Sequence, residues 1–108
     1  MVMGAPIEVT YRIPKTSCPK FLEELHRRGL LLSSRFDLPD DGFTIHLQKQ
    51  QSKGFAPFLI FSESRTDETA REIETMWTEQ NRQLVEQIED AVLQHGGTIV
   101  SGGVRDTK

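Results

Sequence analysis

Thirty consecutive residues, Thr66 to His95, contain neither glycine nor proline and carry apolar residues at helical spacing. No other stretch limits the fold as strongly. Ala70, Ile73, Met76/Trp77, Leu84, Ile88 and Ala91/Val92 fall on one stripe of a helix, apart from one wider step. Thr66 and Asp67 can accept hydrogen bonds from the orphan N–H groups of a first turn. Asp67, Glu68 and Glu72 suit the positive end of a helix dipole. His95-Gly96-Gly97 reads as a helix end, with Gly96 able to take the left-handed conformation. The spacing predicts one helix over 66–95.

Such a helix spans about 45 Å, whereas a seven-residue strand spans about 23 Å. One small sheet cannot cover it. The stripe also lapses over Thr78-Glu79-Gln80-Asn81-Arg82-Gln83. Either the helix bends near Gln80–Asn81, or one end overhangs and packs on a second copy. In the second case Trp77, Gln80 and Leu84 are the candidate dimer contacts.

The remaining chain supplies strands and one short helix. Ile7 to Ile13 alternates apolar and polar, a half-buried strand with Ile7, Val9, Tyr11 and Ile13 inward and Glu8, Thr10 and Arg12 outward. After Pro14, residues Cys18, Phe21, Leu22 and Leu25 fall at i, i+3, i+4 and i+7, and Gly29 closes that helix. Leu30 to Phe36 reads as either a strand or a helix end. Asp37-Leu38-Pro39-Asp40-Asp41-Gly42 is a dense turn signal. Phe43 to Gln48 alternates again, with Thr44, His46 and Gln48 outward. Phe55 to Phe61 is apolar on both faces, so either Phe58 and Ile60 or Leu59 and Phe61 must lie on the face away from the helices. Thr98–Ser101 is a last strand, and Gly102–Lys108 a flexible tail.

These elements make a single α+β domain over 1–108. It is a two-layer sandwich of the ferredoxin-like split βαβ pattern, with four or five mostly antiparallel strands and two helices on one face. A chain of 108 residues is long enough for one such core. The sequence holds no apolar run near the ~20 residues of a membrane span and no signal-peptide pattern at its start. A single cysteine excludes an internal disulfide, which makes a cytoplasmic setting the expectation. The net charge of −3 divides into −6 over 66–95 and +3 elsewhere. That places the acids on the helix layer and leaves the rest mildly basic.

Catalytic and metal motifs are missing. The three histidines have no metal-ligand spacing, and one cysteine makes no zinc pattern. No nucleophile elbow, phosphate loop or dinucleotide fingerprint occurs. Cys18 could be activated at a helix N-terminus, but it shares a stripe with Phe21, Leu22 and Leu25 and reads first as a core thiol. No cofactor is expected. The candidate binding face consists of Arg12, Arg35, His46 and Phe58.

Lys53-Gly54-Phe55-Ala56-Pro57-Phe58-Leu59-Ile60-Phe61 resembles the RNP1 signature of RNA-recognition motifs. Those motifs have a βαββαβ fold and stack bases on alternating aromatics. Pro57 is an extra residue in that spacing, and the first strand offers only Tyr11, on its core face. The resemblance implies single-stranded RNA binding through Arg12, Lys53, Phe55 and Phe58 as an alternative, with nucleic acid otherwise not expected. A helix closing on His95-Gly96-Gly97 before a last strand is similar to the end of the small ferredoxin-like regulators that inhibit ribonuclease E. Their tyrosine-aspartate-glycine-tryptophan run is absent. The chain therefore reads as a non-catalytic interaction or regulatory domain acting as a homodimer. A small-ligand or enzymatic site between sheet and partner, lined by Arg12, Arg35 and His46, is the other alternative.

Overall fold

The computed structural model describes residues 7–31, 43–46 and 58–104, with 43–46 described by their backbone. In chain order the elements are β1 (Ile7–Pro14), α1 (Cys18–Arg27), β2 (Phe43–His46), β3 (Phe58–Glu63), β4 (Ala70–Trp77), α2 (Arg82–Gln94) and β5 (Thr98–Ser101). The strands form one sheet in the order β2-β3-β4-β1-β5, and every neighbouring pair is antiparallel. Both helices bury their apolar stripes in the cluster that takes Val9, Tyr11 and Ile13 from β1 and Leu59 and Phe61 from β3. The fold is α+β, an antiparallel sheet with two helices against it.

The first strand and first helix follow their patterns. Val9, Tyr11 and Ile13 are buried, as are Cys18, Phe21, Leu22 and Leu25. Gly29, at φ +77°, ends α1, and the Leu30 N–H returns to the Leu25 carbonyl at 2.9 Å. Leu30 and Leu31 are buried. The rest of Leu30–Phe36, the turn before Phe43 and the tail from residue 105 lie outside the described residues.

The single helix over 66–95 is corrected: its first half is strand β4. Arg71, Ile73, Thr75 and Trp77 turn inward at period two, while Glu72, Glu74 and Met76 occupy the other face. Over eight residues, apolar gaps of three and four satisfy a helix as well as a strand. Pairing decides between them. β4 lies between β1 over eight residues and β3 over four, and such a central position overrides weak local preference. Asp67 does accept from N–H and O–H donors, but in the turn before β4. Its carboxylate takes the Thr69 N–H at 2.9 Å and the Thr69 O–H at 2.6 Å. The Thr69 hydroxyl is the main reason its pKa lies below the usual aspartate value.

The polar hexad is the start of α2 and its lead-in turn, not a bent midsection. Thr78 is extended, at φ −124° and ψ 171°, and begins a capping box with Asn81. The Asn81 side chain accepts the Thr78 N–H at 2.6 Å. The Arg82 guanidinium then lies 5.7 Å from the centre of the Trp77 ring, joining strand end to helix start. With 13 residues, α2 spans about 20 Å, and nothing overhangs. A helix of this length needs no second copy to cover it. Trp77 and Leu84, expected at a dimer contact, are 2% and 7% exposed within the protomer's own core. The side chain of Gln80 lies outside the described part. Replacing Thr78 or Asn81 by alanine should cost about 1 kcal/mol. Thermal melts should show this as a drop of roughly 4–8 °C, with the helical signal largely kept.

The expected tail is also anchored at its start. The Trp77 indole N–H donates to the Gly102 carbonyl at 3.2 Å, and the Val104 N–H donates to a carboxylate oxygen of Glu89. Val104 joins the core cluster. Glu89 is fully buried and also accepts the Tyr11 hydroxyl at 2.8 Å. A carboxylate in a core must be hydrogen-bonded to be tolerated, and here its donors come from the first strand and the last segment. Edge strand β5 is short and bulged. Thr10 pairs with Ser101 and Tyr11 with Ile99, leaving Val100 between them.

Candidate functional site

The sheet face away from the helices is built by alternation. From β1 it receives Glu8, Thr10 and Arg12; from β4, Glu72, Glu74 and Met76; from β3, Phe58, Ile60 and Ser62. The ladders fix the rows: Glu8 opposite Met76, Thr10 opposite Glu74, and Arg12 opposite Glu72. On the other side of β4, Ile60 lies opposite Glu74 and Ser62 opposite Glu72.

At one end of this face the sheet opens. β3 begins at Phe58, yet its ladder to β4 begins only at Ile60–Glu74. β4 meanwhile stays paired with β1 as far as Trp77, and β2 stays paired with β3 as far as Phe58. The two halves of the sheet thus part beyond Ile60. The Thr75 hydroxyl donates across the gap to the Phe58 carbonyl at 2.8 Å. The gap leaves a hollow of about 260 Å³ lined by Glu8, Thr10, Phe58, Ile60, Glu74 and Met76. Phe58 and Met76 are half-buried, and Ile60 is 37% exposed.

Charge on this face is uneven. Arg12 pairs with Glu72 at 3.2 Å at the far end. Glu8 and Glu74 sit on diagonal positions of adjacent strands beside the hollow, and among the described residues no cation pairs with either. Diagonal neighbours lie about 7–8 Å apart, so the two carboxylates repel. With β4 a strand, the described open face carries three carboxylates to one guanidinium, a net of −2. The placing of all the acids of 66–95 on the helix layer is therefore corrected, because Glu72 and Glu74 belong to the sheet.

Of the four candidate binding residues, the three described ones are not gathered in one place. His46 lies directly opposite Phe58 in the β2–β3 ladder. Arg12 is three strands from His46; from Phe58 it is two strands away and four residues further along, since Arg12 and Ser62 share Glu72 as neighbour. That separation is about 13 Å along the strands and about 10 Å across them. Arg35 lies outside the described residues. Reading the sequence missed Glu8, Glu74 and Met76 as lining groups. Glu74 and Met76 could have been found only by reading β4 as a strand.

A second, smaller hollow of about 200 Å³ lies between Arg12, Asp67, Thr69, Gly96 and Thr98. Its guanidinium is already balanced by Glu72 and lies near Asp67. Cys18 is buried; its thiol points to the Pro14 carbonyl at 3.7 Å, and burial pushes its pKa up against the opposing pull of Arg71 and Lys15. It is a core thiol and not an activated nucleophile. Among the described residues no group of three His, Cys, Asp or Glu could hold a metal ion, and no helix is long and apolar enough to cross a membrane. Comparison with protein-family models, with curated proteins and with solved structures yields no match to this chain.

Proposed function

We propose that this chain is a non-catalytic interaction domain whose binding surface is the open face of its sheet. The observation that carries this reading is the hollow where β3 leaves β4. It combines the apolar groups Phe58, Ile60 and Met76 with two carboxylates that have no counter-ion among the described residues. We also infer a ferredoxin-like split βαβ arrangement extended by β2. The support is that β1 and β3 both run antiparallel to β4 between them, and α1 lies in the connection.

The other readings fare less well on charge and distance. A polyanionic RNA strand meets a face whose described residues carry a net −2, which opposes the phosphate contacts such binding needs. A small-ligand or enzymatic pocket built on Arg12 and His46 has its groups at opposite ends of the sheet. A homodimer through this face would set one carboxylate pair against its copy.

A thermal-shift panel of short basic peptides, metabolites and short single-stranded RNAs separates the readings. A ligand at a hundred times its Kd adds about 2.7 kcal/mol to a native state that alone binds it. For a domain of this size that is a rise of roughly 10 °C or more. Basic peptides should raise the melting point and RNA should not. Stabilisation by RNA alone, or by a metabolite alone, replaces this reading with the corresponding rival.

A further inference from the structure

Resting on that reading, we propose that the hollow between β3 and β4 takes an arginine side chain from a basic, extended segment of a protein partner. Glu8 and Glu74 supply carboxylates from β1 and β4, and Phe58, Ile60 and Met76 beside them form the apolar part. A guanidinium meets both needs at once. It can bridge two carboxylates with its fork of donors, and it lies well against an aromatic face and an apolar wall because it is weakly hydrated. Its alkyl stem covers apolar surface that is otherwise left to water.

The size of the site fits one such side chain. About 260 Å³ is roughly nine times the ~30 Å³ share of a water molecule. That holds a long side chain but not a packed helix. A divalent cation stripped of its water is a poorer occupant. It asks for six or more oxygens, whereas the hollow offers two carboxylates and the Thr10 hydroxyl among apolar groups. A second copy of this face brings the same described charge and, among the described residues, no guanidinium near its own hollow, since Arg12 is held by Glu72.

Binding would also relieve a cost already present in the free protein. The diagonal carboxylates repel each other across the β1–β4 ladder, and a cation between them reverses that repulsion. The interaction is then charge-assisted and salt-sensitive, with the apolar groups giving it a fixed position.

The test is an amide-resolved NMR titration of the full chain at low salt with four probes. These are an acetylated pentapeptide alternating alanine and arginine, its citrulline counterpart, its glutamate counterpart, and free arginine amide. The arginine peptide should shift the amides of 8–10 and 74–76 and saturate, and the citrulline peptide should bind at least tenfold more weakly. The double variant Glu8→Gln/Glu74→Gln should lose at least tenfold in affinity while its melting point holds or rises, which separates lost charge from lost fold. Equal binding of the citrulline and arginine peptides, unaffected by the double variant, overturns the guanidinium assignment while the open-face reading survives. Equal binding of free arginine amide overturns the peptide partner. If no probe perturbs this face, the assignment fails. If Ile60→Ser likewise leaves the response to every ligand of the wider thermal-shift panel unchanged, the open-face reading fails with it. Self-association of the wild type that the double variant abolishes makes a second copy the occupant and overturns the proposal.

Discussion

Glu89→Ala is expected to lower the unfolding free energy by about 2–4 kcal/mol. Glu89 is fully buried in α2 and accepts the Tyr11 hydroxyl and the Val104 N–H. Truncation leaves those two donors without this acceptor, at roughly 1–3 kcal/mol each. Removing a carboxylate from the core returns part of that cost, because a buried charge is itself unfavourable. The net loss corresponds to a fall in Tm of roughly 10–30 °C. Glu89→Gln keeps an acceptor of similar shape and should cost less than the truncation. Tyr11→Phe removes one donor and should lie near 1–2 kcal/mol. Urea denaturation followed by Trp77 fluorescence orders the three variants. An alanine variant within 1 kcal/mol of the parent would show that the Glu89 hydrogen bonds add little to holding the C-terminal segment.

Gly102→Ala is expected to be comparably damaging for a different reason. Gly102 has φ +71°, a region where a side chain costs about 1–2 kcal/mol by itself. An added Cβ would also lie 1.9 Å from the Glu8 carbonyl oxygen and 3.1 Å from its carbon, so the obstacle is β1 backbone and not a movable side chain. The chain can escape only by lifting Gly102–Val104 away, which breaks the Trp77–Gly102 and Glu89–Val104 hydrogen bonds. The expected cost is about 3 kcal/mol or more, with a red-shifted Trp77 emission in the native baseline. Gly29→Ala is the control. Gly29 has a similar φ of +77° but nothing within 4 Å of the added Cβ, so only the backbone penalty of about 1–2 kcal/mol remains. Equal losses at both positions would mean that the contact with β1 adds nothing.

The damage in both cases falls on features that sequence reading passed over. Where a single period dominates, as in β1 and α1, local pattern and structure agree. Ala70–Trp77 had two readings. Ala70, Ile73 and Met76/Trp77 keep helical spacing, while Ile73, Thr75 and Trp77 keep a strand's. Thr75 counts as polar in a sequence, yet it is 3% exposed, and Arg71 is 6% exposed. Both inward polar positions therefore hid the strand period. No glycine or proline marks the break before α2, because Thr78 ends the strand and begins the capping box without one. That Thr78-x-x-Asn81 spacing, followed by Leu84, Val85 and Ile88, was the available signal. The candidate site inherits the same gap. Glu8 was correctly placed toward solvent, but its neighbours Glu74 and Met76 come from β4. The divergence of β3 from β4 depends on long-range pairing that no local window contains.

The position of β1 sets the timing of folding. It lies between β4 and β5, and its ladder partners begin more than fifty residues downstream, at Ala70. A nascent chain leaving the ribosome at about 5–20 residues per second holds this strand unpaired for several seconds. During that interval Val9, Tyr11 and Ile13 have no sheet to enter, and such long-separation pairings are slow to close. The α1 helix can form early, since its contacts are local, and can shelter part of that surface. The sheet itself waits for Ala70–Trp77 and Thr98–Ser101, so the inward face of β1 stays unpaired until both have been made.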